Sequence, residues 1–190
     1  MVWLIHQLTR NVPFWIFLLG VSVFFLFLLF VLPAEAARST EYFGGVDAPD
    51  TQFFYTGDDL VRIASAFGAE GRAYYIRSRF TFDVVWPLAY GFFLWSGIAW
   101  LKGLIGNRLF RYLPLIPVAA VLLDFLENSG ASLVMYVYPA RIPIITGLIP
   151  FFTTLKWLII GVSFGLLAGL AVMAIIKRFR KSGGTDQPGG

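Results

Sequence analysis

Leu113–Tyr138, LPLIPVAAVLLDFLENSGASLVMYVY, is the stretch on which the reading of this chain turns. It is apolar over more than the roughly 20 residues that a helix needs to cross a bilayer. Yet its middle carries Asp124, Glu127 and Asn128. Spacing of i, i+3 and i+4 puts all three on one helical face. An ionised carboxylate in hydrocarbon costs at least about 2.5–3.5 kcal/mol on insertion scales, so it needs a partner, a cavity or a proton. A polar site inside an apolar helical bundle is therefore the central expectation.

Composition agrees with that class. Hydrophobic residues make up 58% of the 190-residue chain and charged residues 14%. Soluble domains average about 45–50% and about 25%. There is no cysteine, which excludes disulfide and thiolate chemistry, and the single histidine, His6, precedes the first apolar run. No His-ligated haem or zinc is expected inside the bundle, and no cofactor or metal is assigned. The net charge of +4 suits basic flanks on an anionic membrane. Nucleic acid is not an expected partner, because no basic patch is interleaved with polar surface.

The sequence reads as an all-α fold. It is a four-helix transmembrane bundle in a single domain over residues 1–181, with spans near 13–33, 83–101, 113–138 and 148–176. Residues 182–190 read as a disordered tail. Pro13 opens the first run, which has no charge before Glu35. Ala34-Glu35-Ala36 before Ala37 also looks like a signal-peptidase site, but the run exceeds a usual 7–15-residue h-region.

The loop over 34–82 changes character. Its first half is rich in turn formers and is expected to be irregular. A helix follows, with a capping box of Thr56 and Asp59 and with Leu60, Ile63, Ala64 and Phe67 on one side. It is expected as an amphipathic helix at the bundle mouth or at the lipid interface. Gly68 and Gly71 bend the chain into a segment where Arg72, Arg77 and Arg79 alternate with tyrosines, as at an interface or gate.

Asp83, Trp86 and Tyr90 share a face of the second span, and Arg79 stands one turn before Asp83. Pro87 is a candidate kink. In the fourth span Lys156 lies near Thr153 and Trp157, and Gly161, Gly165 and Gly169 form a ridge that a partner helix can approach closely.

Basic residues flank the N-terminal segment, the 102–112 linker and the 177–181 cluster. By the positive-inside rule both termini are cytoplasmic and the 34–82 loop is extracytoplasmic, in the cell's inner (plasma) membrane. Counting 1.5 Å per residue, Glu127 and Lys156 then lie at similar depth in the outer half of the bundle, with Asp124 nearer the midplane. Asp83, Tyr90, Asp124, Glu127, Asn128, Thr153, Lys156 and Trp157 form the candidate ligand site. Two explanations compete for it. The charges fix helix register as a buried Glu127–Lys156 pair, or they mark a site for a ligand, proton or substrate. No phosphate loop, nucleophile elbow or HExxH motif is present.

The strings GAEGRAYYIRSRFTFDVVWPLAY, LLDFLENSG and TTLKW carry a resemblance. Over residues 57–160 the chain resembles a group of small four-helix bacterial integral membrane proteins. The residues concerned are Gly68, Gly71, Arg72, Tyr75, Asp83, Pro87, Tyr90, Asp124, Glu127, Asn128, Thr154, Lys156 and Trp157. The resemblance implies a shared polar site and no particular chemistry. In layout alone the chain is also similar to EXPERA-type membrane proteins, which implies a hydrophobic or amphiphilic ligand. The expected partners are membrane lipids, a hydrophobic small molecule, and a helix packed on the glycine ridge. The expected function is ligand binding or, alternatively, assembly of a membrane complex.

Overall fold

The computed structural model describes residues 2–182. The tail expected from residue 183 onward lies outside the described residues. Every regular element among the described residues is helical. The chain forms a helical bundle with four stretches long and apolar enough to cross a membrane: Phe14–Phe43, Gly68–Ile105, Arg108–Val137 and Pro143–Arg180.

A short helix, α1 (Val2–Thr9), leads into α2 (Phe14–Leu26). A widened π-type turn, Phe27–Val31, joins α2 to α3 (Leu32–Phe43). Proline lacks the N–H for its helical bond, and its ring crowds the carbonyl one turn back. A π-turn just ahead of Pro33 relieves both problems, so the helix runs on to Phe43. The sequence reading ended this span near residue 33 and expected irregular chain over residues 39–57. The correction has a physical cause: Leu32–Phe43 contains Ala34, Ala36, Ala37, two glutamates and an arginine, all helix formers, and the preceding span supplies the nucleus.

The long irregular stretch of the 34–82 loop is residues 44–56, interrupted by a single 3-10 turn at Pro49–Thr51. Then comes α4 (Gly57–Ala66), opened by the reciprocal capping box of Thr56 and Asp59. It buries Leu60, Val61, Ile63 and Ala64, while Asp58, Arg62 and Ser65 are exposed. Gly68, at φ +64°, turns the chain into α5 (Gly68–Arg79). At Gly71 a Cβ would stand 2.8 Å from the Tyr42 carbonyl oxygen, so α3 and α5 touch where there is no side chain. Next are α6 (Phe82–Ile105), unbroken through Pro87, α7 (Leu115–Val137) and α8 (Pro143–Ser182).

Helix α6 is the hub. It packs on α2, α5, α7 and α8, and the most extensive interface in the molecule joins α7 to α8. The α2–α6 contact is aromatic, with Phe24 stacked on Phe93 at 4.7 Å and Phe17 on Trp100 at 5.2 Å. The segment after α1 and the last turns of α8 meet the end of α6 at one end of the bundle. There Trp95 Nε1 donates to the Leu8 carbonyl, Lys102 donates to Asn11, and Lys177 donates to the Leu104 and Ile105 carbonyls. Residues 44–67 cover the opposite end, where Gly57 abuts Thr146 and Tyr55 meets Thr153.

A charged chamber beneath the strap

The candidate site is built on two adjoining ion networks at the covered end. In the first, Arg79 closes α5 and Asp83 opens α6 one turn later, so each sits where the helix dipole favours its charge. Arg79 Nε lies 2.9 Å from Asp83 Oδ2, and its Nη1 lies 2.6 Å from Asp50 Oδ2. The guanidinium also covers the ring of Tyr75 at 4.5 Å. In the second, Lys156 of α8 lies 2.6 Å from Glu127 and 3.6 Å from Asp124, both on α7. Tyr90 donates to Asp124 at 2.9 Å. Asn128 ties the two networks together, donating to Asp124 at 3.2 Å and to the Asp83 carbonyl at 3.3 Å.

All of these groups are buried except Asp50, whose side chain is 16% exposed. Glu127 is fully enclosed, while Asp83 and Asp124 are each 6% exposed and Lys156 is 4% exposed. For buried charges, pairing of this kind is required rather than optional.

The segment 44–56 acts as a strap, held down by α8. Trp157 donates its indole N–H to the Asp50 carbonyl, and Thr154 donates to the Phe53 carbonyl. Tyr55 and Thr153 share a hydrogen bond of 2.9 Å. Within TTLKW, therefore, Thr153, Thr154 and Trp157 grip the strap and Lys156 joins the acids. Asp50 has its carboxyl pKa pulled two ways. Burial opposes ionisation, but the charges of Arg79 and Lys156 outweigh it and hold the pKa below the usual carboxylate range.

A cavity of about 590 Å³ opens against this network. Its polar end is formed by Asp50, Arg79, Asp83, Tyr90, Asp124 and Lys156. Its apolar end is formed by Phe24, Leu28 and Leu32 on one side and Ile160 and Phe164 on the other. Helices α2 and α8 flank α6 and approach each other where Phe24 meets Phe164 at 6.3 Å. The cavity separates them on the loop side of that contact. Its rim is open to the bundle's surroundings: Leu28, Trp157 and Phe164 are 39%, 37% and 40% exposed.

The eight residues read as a ligand site fall into three groups. Asp83, Tyr90, Asp124, Lys156 and Trp157 line the cavity. Glu127 and Asn128 lie behind it as partners of lining residues. Thr153 faces Tyr55 in the adjoining core. Of the three arginines read as interface or gate residues, only Arg79 reaches the chamber. Arg72 donates to the Ala64 carbonyl and lies over Tyr138, and Arg77 is exposed.

Sequence reasoning missed Asp50 and Tyr55. Both stand in the irregular strap, where no periodicity assigns a direction to a side chain. Asp50 follows Pro49, a turn signal only, and it meets Arg79 through folding of the whole loop. Among the described residues no three His, Cys, Asp or Glu side chains come together as metal ligands. The Arg79 and Lys156 cations stand between the carboxyls instead. Comparison with protein-family models, curated proteins and solved structures finds no match. What the fold and site define is thus a class: a helical bundle with four membrane-length stretches, enclosing a charged chamber that opens into an apolar cleft.

Proposed function

We propose that this chain is a multi-pass protein of the bacterial inner (plasma) membrane that binds a hydrophobic or amphiphilic small molecule in the cleft between α2–α3 and α8. The observation that carries this reading is the two-ended cavity. Its volume of about 590 Å³ falls in the 300–1,000 Å³ range of small-molecule sites. Part of its wall offers charges and hydrogen bonds, and Phe24, Leu28, Ile160 and Phe164 offer aliphatic and aromatic surface. An amphiphile diffusing in one leaflet enters tail and head together through the side opening. Both termini are placed in the cytoplasm, because Arg10, Lys102, Arg108, Arg111, Lys177, Arg178 and Arg180 gather at the terminal end. The cleft then faces the outer leaflet.

Native mass spectrometry from phosphatidylcholine nanodiscs tests this. Wild type is expected to retain one small amphiphile. Ile160→Trp, which fills the apolar end, is expected to lose it. Identical spectra from the two proteins overturn the reading.

A second reading, assembly with partner spans, is favoured by one observation. A Cβ added at Gly161, Gly165 or Gly169 would meet nothing within 4 Å, so the ridge is left open by this chain's own helices. The same spectra detect stoichiometric partner chains.

A further inference from the structure

We infer that the head group taken by this cleft is a cation, an amine or quaternary ammonium. The inference rests on the amphiphile reading above and adds the chemistry of the head.

Two observations lead to it, and the first is the charge inventory. The cavity is lined by the acids Glu35, Asp47, Asp50, Asp83 and Asp124, against only Arg79 and Lys156 as cations. Both cations are already engaged. Arg79 sits between Asp50 and Asp83. Lys156 sits between Asp124 and Glu127, a further acid behind the wall. Each cation is thus flanked by two carboxylates, so the acids outnumber the cations around the cavity. Among the lining carboxyls, Asp50 keeps one oxygen unpaired: its Oδ1 has no hydrogen-bond partner. Asp83 also lines the cavity, with its Oδ2 taken up by Arg79 at 2.9 Å.

The second observation is the aromatic lining. Phe82, Trp86, Tyr90 and Trp157 line the cavity, and the Trp157 ring already lies 5.4 Å from Lys156 Nζ. Ring faces attract cations, tryptophan most strongly, and the attraction grows when water is excluded. Excess carboxylate with aromatic walls complements an ammonium on both counts. A carboxylate or phosphate head would meet repulsion from acids that outnumber the lining cations Arg79 and Lys156.

The test uses three twelve-carbon probes that differ only in the head: dodecyltrimethylammonium, dodecanol and dodecanoate. Each is equilibrated with phosphatidylcholine nanodiscs carrying wild type or Ile160→Trp. The difference between the two removes simple partition into lipid. The expected result is that the ammonium binds about tenfold more tightly than the alcohol, the ratio that about 1.4 kcal/mol gives. Asp50→Asn is expected to weaken the ammonium and leave the alcohol unchanged. Equal affinity for ammonium and alcohol overturns the inference and means that protons neutralise the acids. Tighter binding of dodecanoate also overturns it and makes Arg79 and Lys156 an anion site. Both of those outcomes leave the amphiphile reading standing. Binding of none of the three overturns the inference and the proposed function together. The wild-type comparison decides the matter even where Asp50→Asn fails to fold.

Discussion

Lys156 Nζ and Glu127 Oε2 lie 2.6 Å apart across the α7–α8 interface, with Glu127 entirely enclosed. A pair of this kind stabilises little relative to an apolar pair, but an orphaned partner is costly. Glu127→Ala or Lys156→Ala alone is expected to destabilise the bundle by about 3–5 kcal/mol. The double variant is expected to cost less than the sum, since no unpaired charge remains. Reversible unfolding in mixed micelles measures the cycle. Strict additivity would mean that the pair is not coupled.

Asp50 sets the pH behaviour of the strap. Burial raises its pKa, but Arg79 and Lys156 lower it further, so the folded value lies below the unfolded one. A depressed carboxyl contributes stability above its unfolded pKa of about 3.9 and loses it as pH falls through the folded value. Residues 46–56 are therefore expected to stay closed at neutral pH and to open only in acid below about pH 4. Hydrogen exchange of that segment, corrected for intrinsic rates, reads the effect. Asp50→Asn should abolish the pH step. A step of the same size in that variant would assign it to another group.

The strap hydrogen bonds make a local prediction. Tyr55→Phe removes the bond to Thr153, and Trp157→Phe removes the bond to the Asp50 carbonyl. Each is expected to cost about 1 kcal/mol. Faster exchange should appear in 46–56 and not in α6 or α7. Uniform loosening of all helices would show that the strap and bundle open as one unit.

Two glycine positions separate packing inside the chain from packing outside it. Gly71→Ala would set a Cβ 2.8 Å from the Tyr42 carbonyl oxygen and 3.0 Å from Phe67 Cβ, so α3 must shift. Overpacking of this sort costs about 1–3 kcal/mol. Gly165→Ala meets nothing within 4 Å and is expected to leave monomer stability unchanged. Cross-linking in native membranes then tells whether that ridge is used. A partner lost only in Gly165→Ala would favour the assembly reading.

The proposed topology is checked by fusions. A reporter active only in the cytoplasm is expected to work after Lys181 or within 103–110, and to be silent at 44–50. Activity at 44–50 would invert the bundle and turn the cleft toward the other leaflet.

Much of the architecture was legible in the chain itself. Apolar length announced the four long stretches, and i, i+3, i+4 spacing put Asp124, Glu127 and Asn128 on one face. The spacing of Arg79 and Asp83 allowed their pairing. These are local properties of a helix: rise, period and the cost of leaving charge in an apolar surrounding. The Thr56–Asp59 capping box, set by residues three apart, belongs with them.

Other features needed the folded molecule. The continuation of the first long helix to Phe43 depends on a π-turn ahead of Pro33, which residue types alone do not specify. The choice of Arg79 over Arg72 and Arg77 depends on where α5 ends against α6. The role of Asp50 depends on a loop without periodicity, laid over the bundle by Thr153, Thr154 and Trp157. The cleft itself belongs to no segment: it is the space left where α2 and α8 pack on α6 but not fully on each other. Sequence dictated which faces are apolar and which residues carry charge, because those are one-dimensional patterns. Tertiary structure decided which charges meet and where an open volume remains, because both depend on contacts between residues far apart in the chain.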